Sequence, residues 1–372
     1  MPEQGLQEPS NESENARSQR SRRRTTIAQV ATQASVSRQT VSNVINAPQR
    51  VRQDTRDRVE QVIAELGYRP HKFAQGLRTG RSNLIALGFR TAPVERSLIL
   101  DAFFHALTAQ TQARGYRVLL ATSDDDTSEI DAYEDLLGRY DIDALILTGT
   151  HVNDPRLPWL SERQVPFVSF GRPWRAGAAH AWVDVDGASG VRDGTFHLIE
   201  RGHRRIAFIG WPDGSGVGED RRSGWEQACR TTGLATDGLL RQVEESMEQG
   251  RVAATSLLDS EDPPTAILCV SDVVALGAWI EVTARGREPG RDVGIVGFDN
   301  SPTAAVVGLS SLMQPLAAVA RACLDCLQSM LSDGDAGAEA PPRQVLLPPH
   351  LVVRKSSSYC PTTETTHVSP RR

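Results

Sequence analysis

The 372-residue sequence lacks any apolar run of membrane-spanning length; stretches such as ALILTG and LIALGF are about strand length, far short of the roughly 18 residues a bilayer helix needs. Where a secretion signal would be apolar, the first residues MPEQGLQEPSNESENARSQRSRRR are charged and polar. A disordered arm over 1–24 and a cytoplasmic protein are therefore expected. Cysteine is scarce: five residues, an odd number that suits reduced thiols better than a disulfide framework. The one close pair, Cys323 and Cys326, has no second CxxC and no nearby histidine to complete a metal site. In ARACLDCLQSML it reads as two thiols of an amphipathic helix, and no metal is expected. No HExxH, GxSxG or GKS/GKT motif occurs, so the expectation is a protein that is not an enzyme and carries no cofactor. The glycines of DGSGVG, at 214, 216 and 218, have the wrong spacing for G-x-G-x-x-G; they suit a mobile cleft rim better than a dinucleotide site.

What is present is a segregation of charge. Residues 25–82 hold nine basic and four acidic side chains, a balance of +5, while the whole chain carries −5. A basic head on an acidic body points to a polyanion partner for the head alone. Within that head, TTIAQVATQA starts with Thr26 as N-cap and puts Ile27, Val30 and Ala31 on one helix face. After a tight break at Ala34, Ser35 and Val36, Ser37 caps a second helix. It turns Val41, Val44 and Ile45 inward and leaves Arg38, Gln39, Ser42 and Asn43 outward. A third helix carries Val59, Val62, Ile63 and Leu66 and stops at Gly67. Three short helices with a polar outer face on the second form a helix-turn-helix, whose second helix enters the DNA major groove. Arg38 can read guanine, Gln39 adenine, and Thr40, Ser42 and Asn46 can hold phosphates. Asn43 shares the exposed face. A solvated helix face is the competing reading.

The continuation ELGYRPHKFAQGLRTGRSNLIALGF, together with TTIAQVATQASVSRQTVSNVIN, resembles the LacI/GalR family of bacterial transcription regulators in order and spacing. That resemblance implies a hinge helix over 71–82 whose Leu77 wedges into the minor groove of a near-palindromic operator, a contact that kinks the duplex. Arg78 and Arg81 are candidates for flanking phosphates, or simply solvated linker charge. The family commonly has Gly at the turn where this chain has Ser35. A non-Gly residue there is free of cost only if its backbone avoids the left-handed region.

From Asn83 onward, apolar runs alternate with helical stretches in the rhythm of open parallel sheets, and the pattern repeats from about Trp182. The expected fold is thus a small all-α helix-turn-helix headpiece (25–70) and an α/β core of two similar parallel-sheet lobes (83–355), periplasmic-binding-protein-like. The first lobe is set at about 83–183 and 312–335, the second at about 184–311 and 340–355, with a disordered tail over 356–372. Ligands of such sheets bind beyond the strand carboxyl ends, which draws attention to Phe89, Arg90, Gly149, Gly171, Arg172, Trp211, Ser271, Asp272, Asp299 and Asn300. Aromatic and charged groups there suit a sugar.

HLIERGHRRIAFIG, EDRRSGWEQAC, SDVVALGAW and VGIVGFDN also look like the family's signatures. The resemblance implies effector contacts at Arg221 and Asp299, with an inter-lobe salt bridge as the alternative. Ser271, Asp272 and Arg172 are further candidates, and Asp272 could equally cap the helix that follows. Asp186 is expected to cap the helix beginning near Ala188. The whole reads as a repressor that binds duplex DNA as a homodimer and lets go when a small molecule, a mono- or oligosaccharide, fills the cleft. A co-repressor response of the purine type and a solute-binding protein are the alternatives. The tail has no heptad repeat, so two dimers are not expected to pair.

Overall fold

The computed structural model describes residues 25–68, 81–90, 97–174, 180–332 and 342–358. They divide into two compact units between Ser82 and Asn83. The first holds α1 (Ile27–Gln33), α2 (Arg38–Asn46) and α3 (Gln53–Leu66). Thr26 starts α1 with a capping box: its hydroxyl accepts from the Gln29 amide at 3.4 Å and its own amide donates to the Gln29 side chain at 2.8 Å. Gly67 ends α3 at φ 60°, returning its N–H to the carbonyls of Ile63 and Ala64. Val30, Ala31, Ala34, Val41, Val44, Val59 and Val62 are buried together, and Ile27 and Ile45 pack at the margin. So few small side chains make a small core, sufficient to fix three helices but with little stability to spare.

Ser35, between α1 and α2, takes φ 54°. This is the left-handed conformation, so the turn keeps the geometry that glycine would give and carries its steric cost.

The second unit is two six-stranded sheets. One has the order β11-β5-β4-β3-β1-β2, the other β12-β10-β9-β8-β6-β7. The strands of the first are β1 (Leu84–Arg90), β2 (Arg117–Ser123), β3 (Ala144–Thr148), β4 (Phe167–Phe170), β5 (Ala181–Val185) and β11 (Gln344–Leu347), all parallel. Those of the second are β6 (Ile206–Gly210), β7 (Leu240–Gln242), β8 (Ala266–Cys269), β9 (Gly294–Phe298), β10 (Ser310–Met313) and β12 (His350–Val352), with only β12 antiparallel. Central strands such as β3 and β9 are buried throughout, because helices cover both faces. The covering helices are α4 (Ser97–Ala113), α5 (Asp126–Tyr140), α6 (Arg156–Glu162) and α12 (Leu316–Ser332) on the first sheet. On the second they are α7 (Gly187–Glu200), α8 (Gly216–Thr232), α9 (Met247–Leu258), α10 (Asp272–Ala284) and α11 (Pro302–Val307).

The chain passes between the lobes three times: from β5 to α7, from β10 to α12, and from β11 to β12. This corrects two expected boundaries. Gln344–Leu347, assigned from sequence to the second lobe, pairs with Trp182–Val185 of the first. Residues 356–358, expected to open the tail, instead belong to the second lobe. Ser356 is buried, donating to the Ile295 carbonyl at 2.6 Å and accepting from the Ser310 amide at 2.7 Å. Segments of three or four residues are too short to show a period, so neither placement could be read from pattern. Cys323 and Cys326 are buried on α12, where burial raises both thiol pKa values.

Candidate functional site

Two surfaces gather the residues singled out above. On α2, Arg38, Gln39 and Asn46 are exposed, with Ser42 and Asn43 half-buried beside them. The Ser37 hydroxyl accepts from the Thr40 amide at 3.0 Å and lies 2.9 Å from the Thr40 hydroxyl, so both are spent on starting the helix. Gln39 donates to Asn43 at 3.0 Å, one turn on, and Asn46 donates to the Ser42 carbonyl at 2.9 Å. These bonds hold the amides along one ridge. Val41 and Val44 anchor the opposite face, and Arg38 stands exposed at the start of the helix with no ion-pair partner among the described residues. Thr26 serves α1 as a cap. Leu77 and Arg78 lie outside the described residues.

The second surface is a cavity of about 170 Å³ between the lobes of the second unit. From the first lobe come Thr148 ending β3 with Gly149 and Thr150 after it, Phe170 ending β4 with Gly171 and Trp174 after it, and Asp184 near the end of β5. Gly187, Asp220 and Arg221 of the second lobe and Gln314 of a crossing segment close it. These are strand carboxyl ends and the helix starts facing them, where open α/β sheets bind ligands.

Arg221 is buried, 6% exposed, and reaches the cavity from α8. One Nη donates to the Val270 carbonyl at 2.6 Å and the other stands 3.9 Å from Asp299. Its Cζ sits 3.6 Å above the Phe298 ring and 5.4 Å from that of Trp211. Its Nε is buried with no hydrogen-bond partner among the described residues. Burial pulls its pKa down, and Asp299, Glu245, Asp184 and Asp220 oppose that pull. Burial likewise lifts Asp299 to about 7, against Arg221, with Asp272 adding to the rise. Asp299 has φ 110° and accepts from Gln314 at 2.7 Å, which ties the end of β9 to a crossing segment.

Other candidates have different employment. Asp272 is buried, accepting from the Ser301 amide and the Ser311 hydroxyl at 2.6 Å each; it braces the turn after β9 instead of facing the cavity. Ser271, not Asp272, caps α10, and also donates to Glu245 at 3.0 Å; the same Glu245 oxygen accepts from the Trp211 indole. Phe89 packs against Phe104, ring centroids 4.9 Å apart. Asp186 caps α7 through the Ser189 amide at 3.0 Å, as its spacing predicts. Arg172 joins the lobes: its Nε donates to Asp184 at 2.7 Å and an Nη to Asp220 at 3.2 Å. Sequence reasoning missed Asp184, Asp220, Trp174, Gln314 and Glu245. Asp184 and Asp220 stand beside residues it did single out, in DVDG and EDRR, but nothing in a lone carboxylate says which lobe it will face.

Beneath the first-lobe wall, Arg156 is wholly buried and bonds Asp154 through two nitrogens, Glu129 at 2.7 Å and the carbonyls of Thr148 and Gly149. Asp126 pairs with Arg90 and His151 alongside. Asp126, His151 and Asp154 are close enough to share a metal ion. Two guanidiniums already supply the positive charge, so the cluster serves as an ion-pair brace.

Comparison with known proteins agrees with this geometry. Residues 26–71 match the profile of the bacterial regulatory proteins, lacI family, and residues 195–357 that of a periplasmic binding protein-like domain. The HTH-type transcriptional regulator CelR of Thermobifida fusca is 33% identical over 345 residues, 90% of this chain and 99% of that protein. AglR of Rhizobium meliloti is 30% identical over 90% of this chain and 95% of its own length. Among solved structures, a CelR–cellobiose complex is similar with a TM-score of 0.66 and 30% identity, over 90% of this chain and all of that one. The lac repressor dimer bound to operator has a TM-score of 0.75 at 25% identity, over 90% of this chain and 99% of that one. With a helix-turn-helix first in its sequence and a two-lobed α/β unit following, this chain belongs to the LacI family of bacterial regulatory proteins and is a DNA-binding transcription regulator.

Proposed function

We propose that the protein is a repressor that binds a near-palindromic operator as a homodimer through α2, and that a saccharide in the inter-lobe cavity releases it. The observation that carries the effector half is Arg221: a buried guanidinium whose Nε has no partner among the described residues, in a cavity lined also by Asp184, Asp220, Phe170 and Trp174. Hydroxyl-rich rings meet such a set, since carboxylates take their protons, a guanidinium feeds their oxygens and aromatic faces cover their C–H surface. That a relative is seen with cellobiose supports the same class. On the operator side, Arg38, Gln39 and Asn43 read base edges, Ser42 and Asn46 hold phosphates, and the hinge 71–82 with Leu77 senses whether the duplex bends.

The two halves communicate by linkage. A ligand that favours one arrangement of the lobes changes the dimer contact and hence the affinity for DNA, and DNA must change ligand affinity by the same factor. Operator fragments can be selected from random duplex DNA with the full chain, then bound in the presence of cellobiose, maltose, sucrose or a purine base. A saccharide is expected to weaken the complex by about five- to 150-fold, the usual range of such coupling. A saccharide that binds the protein tightly yet leaves operator affinity unchanged defeats the scheme; tightening by a purine moves the protein to the co-repressor reading. Arg38→Ala is expected to lose about 1–3 kcal/mol on the selected operator and to relax preference at one position per half-site.

A further inference from the structure

One residue of the cavity wall does something the repressor scheme does not require. Trp174 belongs to the first lobe, four residues beyond β4, and Gly216 is the first residue of α8 in the second. The indole rests directly on that glycine: a Cβ at Gly216 would come within 2.2 Å of Trp174 Cδ2, 2.5 Å of Cγ and 2.7 Å of Cε2. No flexible side chain could yield there, since all three are atoms of a rigid ring. Trp174 also holds φ 53°, a conformation that L side chains rarely adopt, and its ring lies 4.9 Å from the Arg172 guanidinium. Arg172 is in turn pinned between Asp184 of the first lobe and Asp220 of the second. Backbone, cation and opposing glycine together fix the ring at the edge of the cavity it lines.

We propose that Trp174 is the residue that selects a cyclic sugar in this cavity, by stacking on the C–H face of a pyranose whose hydroxyls bond Asp184, Asp220 and Arg221, and that Gly216 is required to keep the indole in place. The inference rests on the saccharide reading and adds to it a position and a shape. A pyranose with mostly equatorial hydroxyls presents a flat apolar face to an indole and its oxygens to the rim, whereas an open-chain polyol of the same composition presents no such face. Because the indole bridges the lobes, a ring held against it is touched from both sides of the cleft, so selection and lobe arrangement share one contact.

The test is isothermal titration of the full-length chain with cellobiose, maltose, sucrose, glucose and the open-chain polyol sorbitol. The parent is expected to bind at least one of the cyclic sugars and not sorbitol. Trp174→Ala is expected to weaken that sugar by about tenfold and Trp174→Phe by no more than about threefold, since a ring face remains. Gly216→Ala is expected to weaken it about as much as Trp174→Ala although the indole is still present, with thermal unfolding showing both variants folded. Should Trp174→Ala fail to fold, Gly216→Ala and Trp174→Leu decide the matter. Equal sugar affinity in the parent, Gly216→Ala and the Trp174 aliphatic variants overturns the stacking role and leaves the saccharide reading standing. Binding of none of the sugars by the parent removes both. Sorbitol bound as tightly as the cyclic sugar overturns the selection.

Discussion

Burial holds a proton on Asp299 up to about pH 7, where an ordinary aspartic acid loses it near 3.8. The native chain then keeps a proton that the unfolded chain gives up, so this group's contribution to stability falls as pH rises from about 4 to about 7. Asp299 stands behind the cavity lining, 3.9 Å from Arg221; if the bound effector brings a hydroxyl onto its carboxylate, the ionised form is favoured and that proton is expelled. Effector affinity is expected to rise between about pH 6 and about pH 8 and then level off, with proton release visible as a buffer-dependent heat in calorimetry. Asp299→Asn should flatten the profile; a profile that stays steep assigns it to another group. Ser35 offers a second test at this scale. Its φ of 54° costs what glycine would avoid, so Ser35→Gly is expected to stabilise the head by about 1 kcal/mol in urea unfolding. No gain there would mean that Ser35 is held by contacts worth its strain.

Elements were legible where periodicity speaks. The three head helices, their caps at Thr26 and Ser37 and the stop at Gly67 follow from spacing and side-chain chemistry alone, because each is decided within about a dozen residues. Strands β1 to β4, β6, β8 and β9 were equally plain as apolar runs, whereas β5, β7, β10, β11 and β12 were not. What stayed hidden needed a second element to define it: that Gln344–Leu347 lies beside β5, that Asp272 braces the turn after β9 instead of lining the cleft, and that Trp174 meets Gly216. The brace under β3 is another case. Arg156 opens α6 yet reaches Glu129 on α5 and the carbonyls ending β3, with both carboxylate partners wholly buried. Removing one partner strands charge in the interior, so Asp154→Ala is expected to cost roughly 3–5 kcal/mol by denaturant unfolding. A loss below about 1 kcal/mol would show that Glu129 alone satisfies Arg156.

Over the whole molecule, the excess of +5 on residues 25–82 and the acidic remainder divide the labour of charge. If α2 and its neighbours make 6–10 phosphate contacts per dimer, raising salt from about 50 to about 200 mM should weaken operator binding by about 10³–10⁵-fold. A neutral sugar in the cleft should change affinity by less than about twofold over the same range, since no counterion is released. A shared salt dependence would place charge neutralisation in both events and count against an uncharged effector.

The three passages of chain between the lobes also set a schedule for synthesis. The first sheet is begun by residue 84 but receives its edge strand only when residue 347 has been made, after nearly all of the second lobe. Until then β5 presents an unpaired parallel edge, and before residue 332 it also lacks α12, which covers β4 and β5. A ribosome paused anywhere within the second lobe therefore displays a complete DNA-reading head on a body whose first half is still open. The order of the chain makes the sensor the last part of the regulator to become whole.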